Sequence, residues 1–280
     1  MNTARSIALP SGEKVVALGQ GTWHFAEDQA RWPEEVASIR LGVDLGLTVI
    51  DTAEMYGDGA AEVLVGEAIA GRRKEVFLVD KVLPHHATRA GTVRACEASL
   101  GRLGVDYLDL YLLHWRGSIP LVETIQGFAE LKREGKIRHW GVSNLDLDDM
   151  VELTAVPGGD EVQTNQILYN LTRRDPEYAL LPWLAQHGIP TMAYSPIEQG
   201  RLIESPTLQP IAQRHNATPA QIALAWVLQH DGVIAIPRAG TLTHVRQNAA
   251  ARGIELTRDD LHALDRAFPP PTRPRPLEVL

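Results

Sequence analysis

The stretch Thr48-Val49-Ile50-Asp51-Thr52-Ala53-Glu54-Met55-Tyr56-Gly57 ends a short β-branched run in an aspartate and follows it with a tyrosine in a glycine-containing loop. A carboxylate within an apolar run is costly unless a cation or a hydrogen-bond donor receives it. Asp51 therefore calls for a partner, and Lys81, which closes the next apolar run Val76-Phe77-Leu78-Val79-Asp80-Lys81, is the best candidate. The run after that, Leu108 to His114, ends in a histidine. Together with Tyr56 these groups suit the protonation of an oxygen. A free tyrosine titrates near ~10, and an adjacent ammonium favours the phenolate and lowers that value. Lys81 would tune Tyr56, Asp51 would hold Lys81 charged and aimed, and His114 would orient a carbonyl by a hydrogen bond. Each has a bland reading as well. A Lys-Asp pair in a barrel mouth is often structural, and a strand-end histidine can simply bond a neighbouring carbonyl. Their joint placement at consecutive strand ends is what points to chemistry.

The elements that must position these residues form a regular series. Short apolar runs occur at Ala17-Leu18-Gly19, 48–51, 76–81, 108–114, 139–143, 162–166, 191–195 and 233–237, and amphipathic stretches separate them at 34–45, 62–70, 92–103, 122–134, 147–153, 177–186, 219–229 and 242–251. Each stretch is long enough for the crossover helix between parallel strands. Eight repeats predict an α/β fold, a closed (β/α)8 TIM barrel spanning 1–280 as a single domain, with catalytic groups at the C-terminal strand ends. Ser11-Gly12 between apolar triplets predicts an N-terminal β-hairpin that closes the barrel floor. Residues 256–268 predict an extra C-terminal helix before a proline-rich tail. Thr218-Pro219 reads as a helix start, as do Asn144, Asp146 and Asp148. Strand alternation sends Asp80 to the face opposite Lys81.

Composition narrows the class. The chain has 280 residues, 44% of them hydrophobic, and a net charge of -8 with dispersed basic residues, which argues against nucleic acid or an anionic membrane as partner. Residues 1–10 lack a long apolar core and no run reaches the length of a membrane span, so the reading is cytoplasmic. The single cysteine, Cys96, reads as a small packing residue in a helix. No Cys or His spacing suggests a metal.

Seven motifs carry a resemblance. Gly21-Thr22-Trp23, Ile50 to Gly57, Leu112-Leu113-His114-Trp115, Gly141-Val142-Ser143-Asn144, Asn165-Gln166, Ala193-Tyr194-Ser195-Pro196 and Ile236-Pro237-Arg238 resemble, in order, those of the aldo-keto reductase family, above all bacterial methylglyoxal and small-aldehyde reductases. The resemblance implies a catalytic tetrad of Asp51, Tyr56, Lys81 and His114, with Tyr56 as general acid. It implies NADPH, with NADH as a weaker alternative, held without a Rossmann domain. Tyr194 would stack on the nicotinamide, and Ser143, Asn144 and Gln166 would bond its carboxamide. Gly21, Thr22, Trp23 and Asp51 would border the cofactor, and the loop through Ser195, Pro196, Gln199 and Gly200 would cross its pyrophosphate. Glu198 departs from the small residue usual there. Pro237, Arg238, Thr241 and His244 would meet the 2′-phosphate, and Gln247 and Asn248 the adenine. Because relatives can carry further cations at the positions of Thr241 and His244, the chain is read as having one firm phosphate cation.

Short loops after His114 and after Phe268 imply a shallow, open pocket lined by Trp23, Met55, Tyr56, His114, Trp115 and His85, suited to small aldehydes and ketones. The chain is read as a monomer or weak homo-oligomer. Two rival functions remain at this point: a barrel aldolase forming a Schiff base on Lys81, and a cofactor-binding regulatory subunit.

Overall fold

The computed structural model describes residues 5–280; residues 1–4, the start of the segment read as lacking a leader, lie outside the described residues. Strands β1 (Ser6–Ala8) and β2 (Lys14–Val16) form the antiparallel hairpin. Its Ile7, Leu9 and Val15 join Val49, Phe77, Leu110 and Ile234 in one apolar cluster, so the hairpin plugs the barrel floor as expected.

The barrel then runs β3 (Gln20–Gly21), α1 (Trp32–Asp44), β4 (Val49–Asp51), α2 (Ala60–Ile69), β5 (Phe77–Val82), α3 (Arg89–Leu103), β6 (Leu108–Leu113), α4 (Leu121–Arg133), β7 (Ile137–Ser143) and α5 (Leu147–Ala155). It continues through β8 (Asn165–Leu168), α6 (Leu180–Gln186), β9 (Thr191–Tyr194), α7 (Leu208–Arg214), α8 (Pro219–Leu228), β10 (Val233–Ala235), α9 (Leu242–Ala251) and α10 (Arg258–Ala267). The strands β3 to β10 pair in parallel in chain order. Closure is made by Gly19 N–H donating to Ala235 O at 2.8 Å and Ala235 N–H donating to Ala17 O at 2.8 Å. The run read as Ala17 to Gly19 thus supplies the seam, while its paired strand lies two residues further on.

Two helix starts differ from the sequence reading. Helix α7 sits between β9 and α8, where the sequence shows no separate signal. Asp146 caps α5 by accepting the Asp149 N–H, whereas Asn144 lies before the helix with φ of 57°. At α8 the expected start is present, with Thr218 and Gln221 exchanging side-chain and backbone hydrogen bonds as a capping box. Cys96 is fully buried. Among the described residues no helix is long and apolar enough to cross a membrane, and no group of three His, Cys, Asp or Glu is placed to hold a metal.

Strand alternation divides the side chains into two populations. Val49, Phe77, Val79, Leu110 and Leu112 point into the barrel, while Ile50, Leu78, Val82, Tyr111 and Leu113 pack outward against the helices. The helical layer approaches closely in places: a Cβ on Gly66 of α2 would stand 2.3 Å from Leu103 O at the end of α3. Gly66→Ala is therefore expected to push α2 off α3 at a cost of about 1–3 kcal/mol, exceeding the ~1 kcal/mol that alanine gains over glycine inside a helix. Urea unfolding checks this, the expected result being a lower midpoint at unchanged slope.

Candidate active site

The inward population ends in three of the candidate groups. Asp51 continues the parity of Val49, Lys81 that of Phe77 and Val79, and His114 that of Leu110 and Leu112, so alternation alone delivers all three to the C-terminal mouth. Lys81 is wholly buried, and its Nζ donates to Asp51 Oδ2 at 2.8 Å, Thr52 O at 2.8 Å and Tyr56 Oη at 3.1 Å. These three bonds use all the donors of an ammonium. Asp51 Oδ1 accepts a bond from Gln166 Nε2 at 2.7 Å. The His114 ring stands edge-on to Tyr56, with centroids 5.9 Å apart, and its Nδ1 is buried without a protein partner.

The electrostatics assign proton states. Burial alone would lower the Lys81 ammonium, but the adjacent Asp51 charge and the Tyr56 hydroxyl outweigh it, and the amine is held above its ordinary range. Burial, reinforced by the Lys81 charge, pushes His114 down to about 2, so its imidazole is neutral. Tyr56 departs from the sequence expectation. Burial of its hydroxyl end raises its pKa, Lys81 pulls it back and Asp51 opposes Lys81, with a net rise. Lys81 thus moderates the phenol without carrying it below its ordinary value, because desolvation is the larger effect.

Asp80 faces the opposite way, as alternation requires. It is fully buried against α2, its Oδ1 accepts the Lys81 N–H at 2.8 Å, and burial followed by the nearby Glu62 carboxylate pushes it well up. Glu62 in turn is paired with Arg102.

A cavity of about 650 Å³ opens over the tetrad and extends to the start of α9. Gly21, Trp23, Asp51, Met55, Tyr56, His114, Trp115, Ser143, Asn144, Gln166, Tyr194, Ser195, Pro196, Gln199, Gly200, Arg238, His244, Gln247 and Asn248 line it. Four expected residues lie behind its wall. Thr22 is buried and donates its hydroxyl to Asp51 O, Lys81 sits beneath Tyr56, Pro237 accepts the Gly21 N–H at the barrel seam, and Thr241 caps α9 by accepting the His244 N–H. His85 does not line the cavity; it is exposed and its ring lies against His86 at 4.1 Å between centroids.

The middle of the cavity is a hydrogen-bonded shelf. Tyr194 Oη donates to Asn144 Oδ1 at 2.9 Å, Asn144 Nδ2 donates to His114 O at 3.1 Å, and Ser143 Oγ donates to Gln166 O at 2.9 Å. Beyond Tyr194 the loop contains left-handed residues at Ser195, Glu198, Gln199 and Gly200, with φ of 48°, 49°, 54° and 86°. The Glu198 carboxylate turns away from the cavity. It is buried, accepts bonds from Asn170 Nδ2 at 2.8 Å and Arg173 Nη2 at 2.9 Å, and is held below the usual carboxylate range because these bonds outweigh its burial.

The sequence reading missed part of the wall. Val279 and Leu280, at the end of the tail, line the cavity, as do Ile197 and Ile203. Arg173 Nη1 bonds Glu278 at 2.6 Å and the Leu280 N–H reaches Tyr194 Oη at 3.4 Å, which brings the tail back over the mouth. The apolar pair Val279-Leu280 at the end of a proline-rich segment is the only sequence signal for this. Thr218, read as a helix cap alone, caps α8 and also faces the cavity.

Comparison with known proteins agrees with the geometry. The family model "Aldo/keto reductase family" matches residues 17–268. The methylglyoxal reductase YeaE of Escherichia coli is 52% identical over 99% of this chain and 99% of its own. The oxidoreductase YtbE of Bacillus subtilis is 34% identical over 92% of this chain and 90% of its own. A crystal structure of an aldo/keto reductase from Klebsiella pneumoniae, in complex with NADP and acetate, superposes with a TM-score of 0.97 at 50% identity, covering 99% of this chain and 100% of that one. With its parallel barrel, its strand-end Asp, Lys and His groups and a Tyr in the loop after β4, the chain belongs to the aldo/keto reductase family.

Proposed function

We propose that the chain reduces small aldehydes and dicarbonyls of the methylglyoxal class to alcohols with NADPH. The observation that carries this reading is the bond from Lys81 Nζ to Tyr56 Oη at 3.1 Å, inside a cavity that runs on to a guanidinium at Arg238. The cavity fits a nicotinamide dinucleotide in its chemistry: the Tyr194 ring borders its middle, amide and hydroxyl groups stand beside that ring, and Arg238 and the N-terminus of α9 mark its far end.

Bound NADPH supplies a hydride to the carbonyl carbon. The Tyr56 hydroxyl, protonated at neutral pH, gives its proton to the carbonyl oxygen. Lys81 stabilises the phenolate left behind, and Asp51 keeps the ammonium charged and fixed. Neutral His114 donates a hydrogen bond to the same oxygen without competing as an acid. Trp23, Met55, Trp115 and the tail residues Val279 and Leu280 exclude water around a small carbonyl compound.

Neither rival gains support from the geometry. A Schiff base needs an uncharged amine with room to attack, and the Lys81 ammonium has all three donors engaged beneath Tyr56. A purely regulatory role would leave the assembled acid without use.

Three outcomes test the reading. Tyr56→Phe should lower reduction of methylglyoxal by NADPH about 10²–10⁴-fold, the usual worth of a positioned general acid, with NADPH binding retained; wild-type turnover in this variant would remove Tyr56 from the role. Reduction should show no titration between pH 6 and 9, since His114 is already neutral and Tyr56 loses its proton only above its ordinary range of ~10; the reverse oxidation, which needs the phenolate, should rise with pH. A kcat profile stepping near neutrality would contradict these proton states. Asp51→Ala should cost about 3–5 kcal/mol of stability, because it leaves a buried ammonium without its counter-ion, measurable as a lowered denaturation midpoint.

A further inference from the structure

Beside Arg238, which lines the far end of the cavity, stands a cation that the sequence reading did not count and that does not itself line the cavity. Arg31 ends a short turn, Gln29–Arg31, just before α1, and its Nη2 donates to Gly240 O at 3.1 Å across 209 positions of chain. Arg238 reaches the same glycine: a Cβ on Gly240 would stand 2.9 Å from Arg31 Nη2 and 3.6 Å from Arg238 Nη2. The two guanidinium groups are therefore close enough for one phosphate to bridge both. The absence of a side chain at 240 leaves room for this approach.

Within ion-pair distance the charge is not balanced. Glu35 is the one carboxylate within 4 Å of Arg238, its Oε1 standing 3.5 Å from Nη2 while its Oε2 accepts the Ala26 N–H at 2.9 Å; Glu27, exposed and paired with His24, acts on Arg238 from further off. Arg31 forms no ion pair with a described residue; the partner of its Nη2 is a neutral carbonyl. Two cations thus share one buried anion beside the start of α9, whose free backbone N–H groups and dipole add to the positive field. A dianionic group relieves that excess, and a hydroxyl does not.

We propose that Arg31 is a second guanidinium of the 2′-phosphate subsite and that, together with Arg238, it sets the preference of the chain for NADPH over NADH. The proposal rests on the NADPH reading above. It revises the count of one firm cation, because Arg31 replaces by tertiary placement what the segment after Arg238 lacks in sequence.

The test is calorimetric titration of the intact chain with 2′,5′-ADP and with 5′-AMP, which share the adenosine and differ in the 2′-phosphate. Arg31→Ala should weaken 2′,5′-ADP about tenfold, the worth of one charge-assisted hydrogen bond, and leave 5′-AMP within about twofold. Arg31→Lys should recover part of the loss, since it keeps the charge but not the fork. Gly240→Ala, which crowds the Arg31 guanidinium, should shift the ratio in the same direction as Arg31→Ala. Equal weakening of both ligands would show that Arg31 only braces Gly240, and an unchanged ratio would show that it plays no part; either overturns the proposal. If Arg238→Ala abolishes discrimination while Arg31→Ala preserves it, the proposal fails and the NADPH reading stands. If the wild-type chain binds both ligands equally, the NADPH reading fails with it.

Discussion

A full positive charge with no solvent exposure constrains everything around it. Lys81 Nζ must spend three donors inside the protein, and it finds them on Asp51, the Thr52 carbonyl and the Tyr56 hydroxyl. Each requirement fixes another part of the barrel. The Asp51 oxygen must stand at the end of the neighbouring strand, the chain must turn immediately so that Thr52 O points inward, and the following loop must fold back to present Tyr56. Asp51 has a second oxygen to satisfy, and Gln166 does so from across the barrel. A buried pair of this kind contributes little net stability compared with apolar side chains of similar size. Its value lies in what it does to the phenol.

The same constraint explains why a second carboxylate, one residue away, does not upset the site. Asp80 lies behind the strand, where burial and Glu62 push its carboxyl well above the usual carboxylate range, and Arg102 pairs with Glu62. Charge on Asp80 would raise Tyr56 further. The outward face therefore stays close to neutral, while the inward face carries one ion pair and an uncharged histidine. Polarity at the mouth is concentrated on the Tyr56 hydroxyl and the ammonium beneath it.

Much of this was legible in the sequence because it depends on local period. Eight apolar runs separated by helical stretches dictate the barrel, and parity along three strands places Asp51, Lys81 and His114 on one rim. What depended on tertiary accumulation was less legible. The net direction of the Tyr56 shift follows from how much wall closes over its hydroxyl, which no spacing encodes. Helix α7 has only one short apolar face, Leu208 and Ile211 with Ala212, and is held by packing against its neighbours. Arg31 and Gly240 meet because the first and last βα units are adjacent around a closed ring. The turn of Glu198 away from the cavity depends on Asn170 and Arg173, which arrive from the preceding strand loop.

Magnitudes separate the two walls of the cavity near Tyr194. Arg173 ties Glu198 on one side and Glu278 on the other. The first bond joins a buried carboxylate that Asn170 also holds, and breaking it would strand a charge away from water. The second joins groups at the surface, where such pairs contribute about 0.2–1 kcal/mol, and Val279 and Leu280 beyond it are half exposed. The loop after β9 is accordingly the firm wall, preset in its left-handed backbone. The tail is the yielding one: at the mouth it is held by that surface ion pair and a 3.4 Å contact from Leu280 N–H to Tyr194, while Leu277 and an Arg275–Asp175 pair at 3.9 Å anchor it further back. A pocket with one rigid side and one weakly held apolar side can vary in width while keeping the Tyr56 hydroxyl and the Lys81 ammonium fixed.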